Sequence, residues 1–259
     1  MPVETVPGVR GLLVDLEGTV YEAGRPVAGA AAALAGLEGR GIALCFVTNT
    51  TSRPRSKLAA ELTAMGIRAE AARIFTAPIA GREYLLSRGL ARCHFLVNPP
   101  MLEDFEGIED VDEAPDAVVV GDIGQDFTYA RLQRAFHWLQ SGAAFVTLAR
   151  NRYYQGSEGL LLDQGPFVAA LEYAAGHRAT LVGKPSPDFF RGAASVLGLS
   201  PAEIAVVGDD LDSDVAGAQA SGMRGILVRT GKFREEDLAA SSTRPDAVIP
   251  SLADIGSAL

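Results

Sequence analysis

The sequence predicts an α/β fold. It is a Rossmann-like, doubly wound parallel sheet in a discontinuous core, with a smaller α/β domain inserted. Three observations predict it. Short apolar runs rich in β-branched residues alternate with Ala/Leu-rich amphipathic stretches. The apolar runs are continuous, as in strands buried on both faces, rather than alternating apolar with polar. A middle stretch repeats the same alternation on a smaller scale.

The elements follow in order. "GLLVD" from Gly11 reads as the first strand and "AGAAAALAGLEGRG" as the first helix. "IALCFVTN" is the second strand. "SRPRSKLAAELTAMG" is the second helix, with Ser52 as N-cap, Pro54 in the first turn and Gly66 as its stop. "CHFLVN", "DAVVVGD", "TYARLQRAFHWLQSGA" and "AFVTLA" repeat the theme in the middle. "ATLVGK", "SPDFFRGAASVLG", "IAVVGDD", "SDVAGAQASGM" and "GILVRTG" return to the first pattern, with Gly222 closing an Ala-rich helix. The expected division is 1–77 for the first part of the core, 78–177 for the inserted domain and 178–259 for the rest of the core.

A chain of 259 residues with 48% hydrophobic content has enough apolar material for a sizeable core. Net charge is −9 and the isoelectric point about 4.9, which disfavours nucleic acid and anionic membranes as partners. No apolar run is long enough to span a bilayer, and the N-terminus lacks the layout of a signal peptide, so a cytoplasmic location is expected. Cys45 and Cys93 sit in strand-like segments and read as buried small hydrophobes in a reducing compartment. His94, His137 and His177 are scattered without metal-ligand spacing and read as structural. Trp138 falls among apolar neighbours at helical spacing, in a core or an interface.

In open α/β sheets, ligands bind beyond the carboxyl ends of the strands. After "GLLV" come Asp15 and Glu17. After "IALCFV" come Thr48, Asn49 and Thr50. After "ATLVG" comes Lys184. After "IAVVG" come Asp209, Asp210, Asp212 and Asp214. If these strands are neighbours, several carboxylates face one lysine and repel one another unless a cation joins them. An all-oxygen donor set suits Mg²⁺, and Mg²⁺ with a lysine clamps phosphoryl oxygens. A carboxylate can itself attack phosphorus to form an aspartyl-phosphate. Thr48, Asn49 and backbone N–H groups after Gly18 are candidate donors to the remaining oxygens.

Competing motifs fail. G-x-G-x-x-G and G-x-x-x-x-G-K-[ST] are absent. "DLDSDV" from Asp210 begins like a calcium loop, but Val215 stands where that loop needs glycine, and Ser221 where it needs its closing glutamate. "GDIGQD" from Gly121 mimics "GDDLDSD" without a lysine or nucleophile beside it, and reads as a solvated loop.

The motifs "DLEGT", "VTNT", "GKPSP" and "GDDLDSD" stand in the order found in the haloacid dehalogenase superfamily of phosphatases, and the chain resembles it. That family's pattern is D-x-D-G-[TV], a Ser/Thr ending the second strand, a Lys, and G-D-[DN]-x-x-x-D. The spacing resembles the NagD-like branch, whose large α/β (type C2) cap lies between the second and third motifs. "RYYQGSEGLLLDQGPFVAALEYAAG", "VGKPSPDFF" and "VRTGKFR" extend the likeness along nearly the whole chain. Within the branch it is nearest to members that cleave pyrophosphate and phosphoramidates.

The resemblance implies a Mg²⁺-dependent phosphatase acting on a small phosphorylated substrate through an aspartyl-phosphate. It makes Asp15 both nucleophile and Mg²⁺ ligand. Glu17 would ligate through its backbone carbonyl, Asp209 directly, and Asp214 through an oriented water. Thr48, Asn49 and Thr50 would hold the phosphoryl group, with Lys184 bridging it and Asp15. It also implies a possible homodimer through the cap. Arg150, Arg152, Tyr153 and Tyr154 follow a strand of the inserted segment, and Arg150 is the candidate there for substrate binding; a solvated basic loop is the competing reading.

Position 17 departs from the family's commonest pattern, which has a second aspartate acting as acid and base. Glu17 is longer by one methylene. Three readings stand: the side chain is the acid/base, only its backbone carbonyl serves, or turnover is disabled. The last leaves a catalytically weak or inactive phosphometabolite-binding or regulatory protein on the same fold.

Overall fold

The structure is a computed structural model and describes residues 5–156 and 159–259. In chain order, β1 (Gly11–Asp15) leads into a small hairpin, β2 (Tyr21–Glu22) and β3 (Arg25–Pro26). Then come α1 (Ala30–Gly39), β4 (Ala43–Thr48), α2 (Arg55–Ala64) and β5 (Ile74–Thr76). Next are α3 (Ala77–Ser87), β6 (Arg92–Leu96), β7 (Glu109–Asp110), β8 (Ala117–Val120), α4 (Tyr129–Gln140) and β9 (Ala144–Thr147). They are followed by β10 (Tyr153–Gly156), β11 (Gly159–Leu162), α5 (Gly165–Ala175) and β12 (Thr180–Leu181). The chain closes with α6 (Pro187–Leu197), β13 (Ile204–Gly208), α7 (Gly217–Ala220), β14 (Arg224–Val228), α8 (Glu235–Ala240) and β15 (Ala247–Ile249).

Two compact units result. One holds the residues up to Thr48 with Arg55–Phe75 and Lys184–Leu259; the other holds Asn49–Pro54 with Thr76–Gly183. The first is built on a six-stranded sheet in the order β15-β14-β13-β1-β4-β5. β1 pairs in parallel with β4 and β13, and β13, β14 and β15 continue in parallel. Leu12, Leu13 and Val14 are all fully buried, so both faces of the central strand are covered. That is why its apolar run does not alternate. Burying each such side chain stabilises the unit by about 1.5–3 kcal/mol. Leu12, Val14, Phe46, Val207 and Ile226 share one core cluster. Phe75 packs edge-on against Phe189 at 5.2 Å, and Phe189 against Phe190 on the same helix at 5.6 Å. The chain runs from β1 outward to β4 on one side and later to β13 on the other. The topological switch point therefore lies at the carboxyl end of β1.

The second unit has a five-stranded sheet, β12-β9-β8-β6-β7, with parallel pairing throughout. Its core joins Val118, Val120, Phe145, Leu139 and Leu171. Phe127 stacks on Phe167 at 3.9 Å. β10 and β11 form an antiparallel hairpin.

Two local readings change. Of "ATLVGK", only Thr180 and Leu181 are strand, and they pair with Val146 and Thr147 of β9, in the second sheet. Ala179 is buried in that unit's core, which draws the segment to it. Lys184 is thus delivered by the loop ahead of α6, across a cis Lys184–Pro185 bond, rather than by a strand of the first sheet. α2 begins at Arg55, so Pro54 precedes its first turn instead of standing within it. Among the described residues, no helix is long and apolar enough to cross a membrane. Cys45 and Cys93 are buried free thiols, each pushed up to about 12 by burial.

Candidate active site

Three segments of the first unit converge at the switch point. β1 ends in Asp15, which is buried. β13 ends at Gly208, and Asp209 and Asp214 follow, both buried. The loop before α6 supplies Lys184, also buried. Lys184 Nζ donates to Asp15 Oδ1 at 2.5 Å and to Asp214 Oδ1 at 2.6 Å. One oxygen from each of Asp15, Asp209 and Asp214 lies within 4.8 Å of the others. Register places Thr48 at the same edge, because Asp15 is opposite Val47 and Thr48 follows as the last, buried residue of β4.

The acidic run after β13 divides its labour. Asp209 Oδ2 accepts the Lys232 backbone N–H at 2.7 Å. Asp210 Oδ1 accepts from the N–H groups of Asp212 and Ser213, at 3.1 and 3.0 Å. It thereby caps the π-helical turn Leu211–Ala216. That turn swings Asp214 back under the strand, where its Oδ2 accepts the Asp210 N–H at 3.2 Å. Asp212 is exposed. Two of the four aspartates therefore join the cluster.

Close packing requires glycine at position 18. Gly18 has φ +81°, and a Cβ on it would stand 2.0 Å from Asp209 Oδ2.

The charge does not balance. Three buried carboxylates face one buried ammonium. Burial, with Asp15 and Asp214 nearby, pushes Asp209 up to about 8. Burial also raises Asp214, to about 7, against the opposing pull of Lys184. Burial works against the charge on Lys184, but Asp15 and Asp214 outweigh it and hold the ammonium above the ordinary lysine value. The chain by itself stabilises these carboxylates incompletely, and a divalent cation would complete the balance. The donors are all oxygens, with neither imidazole nor thiolate among them, so the set fits a hard cation such as Mg²⁺.

The other anticipated residues have different surroundings. Glu17 is exposed, and its Oε1 accepts the Ala23 N–H of the β2–β3 turn at 3.0 Å. Asn49 and Thr50 belong to the second unit, where Thr50 Oγ1 and Ser52 Oγ share a hydrogen bond of 3.1 Å. Arg150 is bound within the second unit. Its guanidinium pairs with buried Glu172 and donates to Ala179 O at 3.1 Å. Arg152, Tyr153 and Tyr154 are exposed. The histidines are all in the second unit. Nδ1 of His94 lies 3.3 Å from Val111 O, His137 sits edge-on to Trp138, and His177 sits edge-on to Phe145.

One group was missed. Thr230, Gly231 and Lys232, just beyond β14, bond to the turn after β1, to the hairpin and to Asp209. The strand-end rule, applied to "GILVRTG", points to them.

A doubly wound sheet carrying a buried Asp/Lys cluster at its switch point defines a hydrolase-type α/β enzyme poised for phosphoryl chemistry. The family model for haloacid dehalogenase-like hydrolases matches residues 12–109, and a HAD-hydrolase-like model matches 181–255. The phospholysine phosphohistidine inorganic pyrophosphate phosphatase of Danio rerio is 37% identical over 256 residues, covering 96% of this chain and 94% of its own. The 4-nitrophenylphosphatase of Thermotoga maritima superposes with a TM-score of 0.91 at 29% identity, covering 97% of each chain. The glycerol phosphate phosphatase of Mycobacterium tuberculosis, solved in complex with magnesium, gives 0.87 at 28% identity, covering 96% of this chain and 77% of that one. The chain belongs to the haloacid dehalogenase-like hydrolases and is a phosphatase of the NagD-like branch.

Proposed function

We propose that this phosphatase is Mg²⁺-dependent and hydrolyses a small phosphorylated molecule through an aspartyl-phosphate on Asp15. The observation that carries the proposal is the buried Asp15–Lys184–Asp214 arrangement with Asp209 as a third buried carboxylate beside its one buried ammonium, among the described residues. Asp15, Asp209, Asp214 and the Glu17 backbone carbonyl are the residues that would hold the cation. When bound, it neutralises the cluster and polarises the phosphoryl group.

The residues do the rest. Lys184 orients Asp15 through the hydrogen bond to its Oδ1, and its ammonium bridges to a phosphoryl oxygen. Thr48 from the end of β4, with Asn49 and Thr50 after it, supplies donors to the other oxygens. Asp15 attacks phosphorus in line with the leaving oxygen, which takes a proton as the P–O bond breaks. Water then attacks the phosphoryl group, gives up its proton, and restores the Asp15 carboxylate. We assign the proton transfers to Glu17. A carboxylate can accept the Ala23 N–H with one oxygen and exchange a proton through the other. The inserted segment, residues 78–177, is the part we assign to substrate selection and to a homodimer contact, in a cytoplasmic protein. The relatives named for pyrophosphate, phosphohistidine and nitrophenyl phosphate set the first substrates to try.

The test is hydrolysis of p-nitrophenyl phosphate and a metabolite panel with Mg²⁺, with EDTA, and by Asp15→Asn. Turnover that needs Mg²⁺ and falls by about 10⁴-fold or more in Asp15→Asn supports the reading. Turnover indifferent to both would overturn it. For Glu17, Glu17→Gln lowers kcat by about 10²-fold on an alkyl phosphate and less on an aryl phosphate, whose leaving group needs no proton. Equal rates for variant and wild type on both substrates remove Glu17 from acid–base catalysis.

A further inference from the structure

Thr230, Gly231 and Lys232 each bond to a different part of the first unit. Thr230 Oγ1 donates to Gly18 O at 2.5 Å. The Gly231 N–H donates to Glu22 Oε1, on the hairpin, at 2.6 Å. The Lys232 N–H donates to Asp209 Oδ2 at 2.7 Å, and its Nζ stands 3.2 Å from Asp210 Oδ2. Gly18 and Gly231 pack backbone to backbone around the same oxygen. A Cβ on Gly231 would lie 2.1 Å from Asp209 Oδ2 and 2.5 Å from Gly18 Cα. Fixing one oxygen of a carboxylate fixes its plane, and with it the position of the other oxygen.

We propose that Thr230–Gly231–Lys232 is a positioning strap for Asp209 that sets the site's affinity for its cation and ties the β2–β3 hairpin to that ligand. The inference rests on the cation-dependent reading above. The strap does not touch the substrate. It holds a ligand in register, as outer-shell hydrogen bonds do around metal sites, where their loss costs about 10–100-fold in metal affinity. Glu22 lies outside the carboxylate cluster, yet its carboxylate anchors the middle residue of the strap.

The experiment is calorimetric titration of the full chain with Mg²⁺ alone, with kcat read as a function of Mg²⁺ concentration. Thr230→Val, Gly231→Ala and Glu22→Ala each weaken Mg²⁺ binding about 10-fold or more. In Thr230→Val and Glu22→Ala, kcat returns towards wild type at saturating Mg²⁺. Thr230→Ser and Glu22→Gln, which keep the donor and the acceptor, restore affinity. Glu22→Gln also separates positioning from simple loss of charge, because both Glu22 variants lose the charge and only one loses the acceptor. Should Gly231→Ala fail to fold, Thr230→Val carries the test, since it removes only a hydrogen bond. Variants that melt like wild type in EDTA and bind Mg²⁺ equally tightly overturn the strap. Wild-type protein that binds no Mg²⁺ overturns the cation reading instead.

Discussion

Among the described residues, an ionic cluster forms around buried carboxylates in each unit, and the two differ in how far their charge is compensated. In the second unit, one carboxylate, Glu172, meets two guanidiniums and a backbone N–H. Arg150 and Arg178 pair with it, and the Ala179 N–H donates at 2.8 Å. Burial opposes the charge of Glu172, but these partners outweigh it and hold the carboxyl below its ordinary value. In the first unit, Asp15 and Asp214 share Lys184, and Asp209 stands beside them with its Oδ2 accepting the Lys232 N–H. There burial and mutual repulsion win at two positions, and Asp209 and Asp214 rise to about 8 and about 7. A satisfied buried ion pair closes a loop or a helix end. An under-compensated one marks where the protein expects something from outside.

The largest way to break this contrast is Lys184→Met. It leaves Asp15 and Asp214 without their shared partner and costs about 3–5 kcal/mol of stability in EDTA at neutral pH. Denaturant titration measures it, and phosphatase activity is lost with it. Arg150→Met is the matching change in the other cluster. Glu172 keeps Arg178 and the Ala179 N–H, so it is not left uncompensated and the loss is smaller, about 1.5–3 kcal/mol, with kcat retained. A raised KM with unchanged stability would instead place Arg150 on the substrate.

The pH dependence is the most diagnostic effect, because the two clusters respond to pH with opposite sign. Asp209 and Asp214 titrate higher when folded than when unfolded. Their contribution is present below the ordinary carboxylate range and fades as pH rises through about 7 and about 8. Glu172 titrates lower when folded, so its contribution is present above that range and fades as pH falls below it. In EDTA, raising the pH from about 5 to about 9 lowers the melting temperature of the first unit. Mg²⁺ reverses the trend, with a larger upward shift at the alkaline end. A Mg²⁺ shift independent of pH would break the link between the cluster's repulsion and its cation.

The sheet was legible because strands buried on both faces leave continuous apolar runs, as Leu12–Val14 and Ile204–Val207 do. Asp15 and Asp209 were legible because each follows such a run directly. The choice of Asp214 over Asp210 and Asp212 came with the resemblance. Spacing alone gives no period for a π-helical turn capped by Asp210. "ATLVG" reads as a strand but carries no mark of which sheet it joins. The pairing of Thr180 with Val146 is decided by packing far away in sequence. Arg150 stands after a strand like any polar residue, and nothing local reveals Glu172 as its partner. Lys232 was overlooked because its contribution to Asp209 is a backbone N–H, which any residue but proline supplies.

The central claim is that Asp15 becomes phosphorylated. Acid quench of the Mg²⁺-activated enzyme during turnover of a ³²P-labelled substrate, followed by peptide mapping, tests it directly. The account predicts a hydroxylamine-labile label on the peptide containing Asp15, absent from Asp15→Asn. Steady turnover with no trapped label under rapid quench, or a label on a different residue, would contradict it.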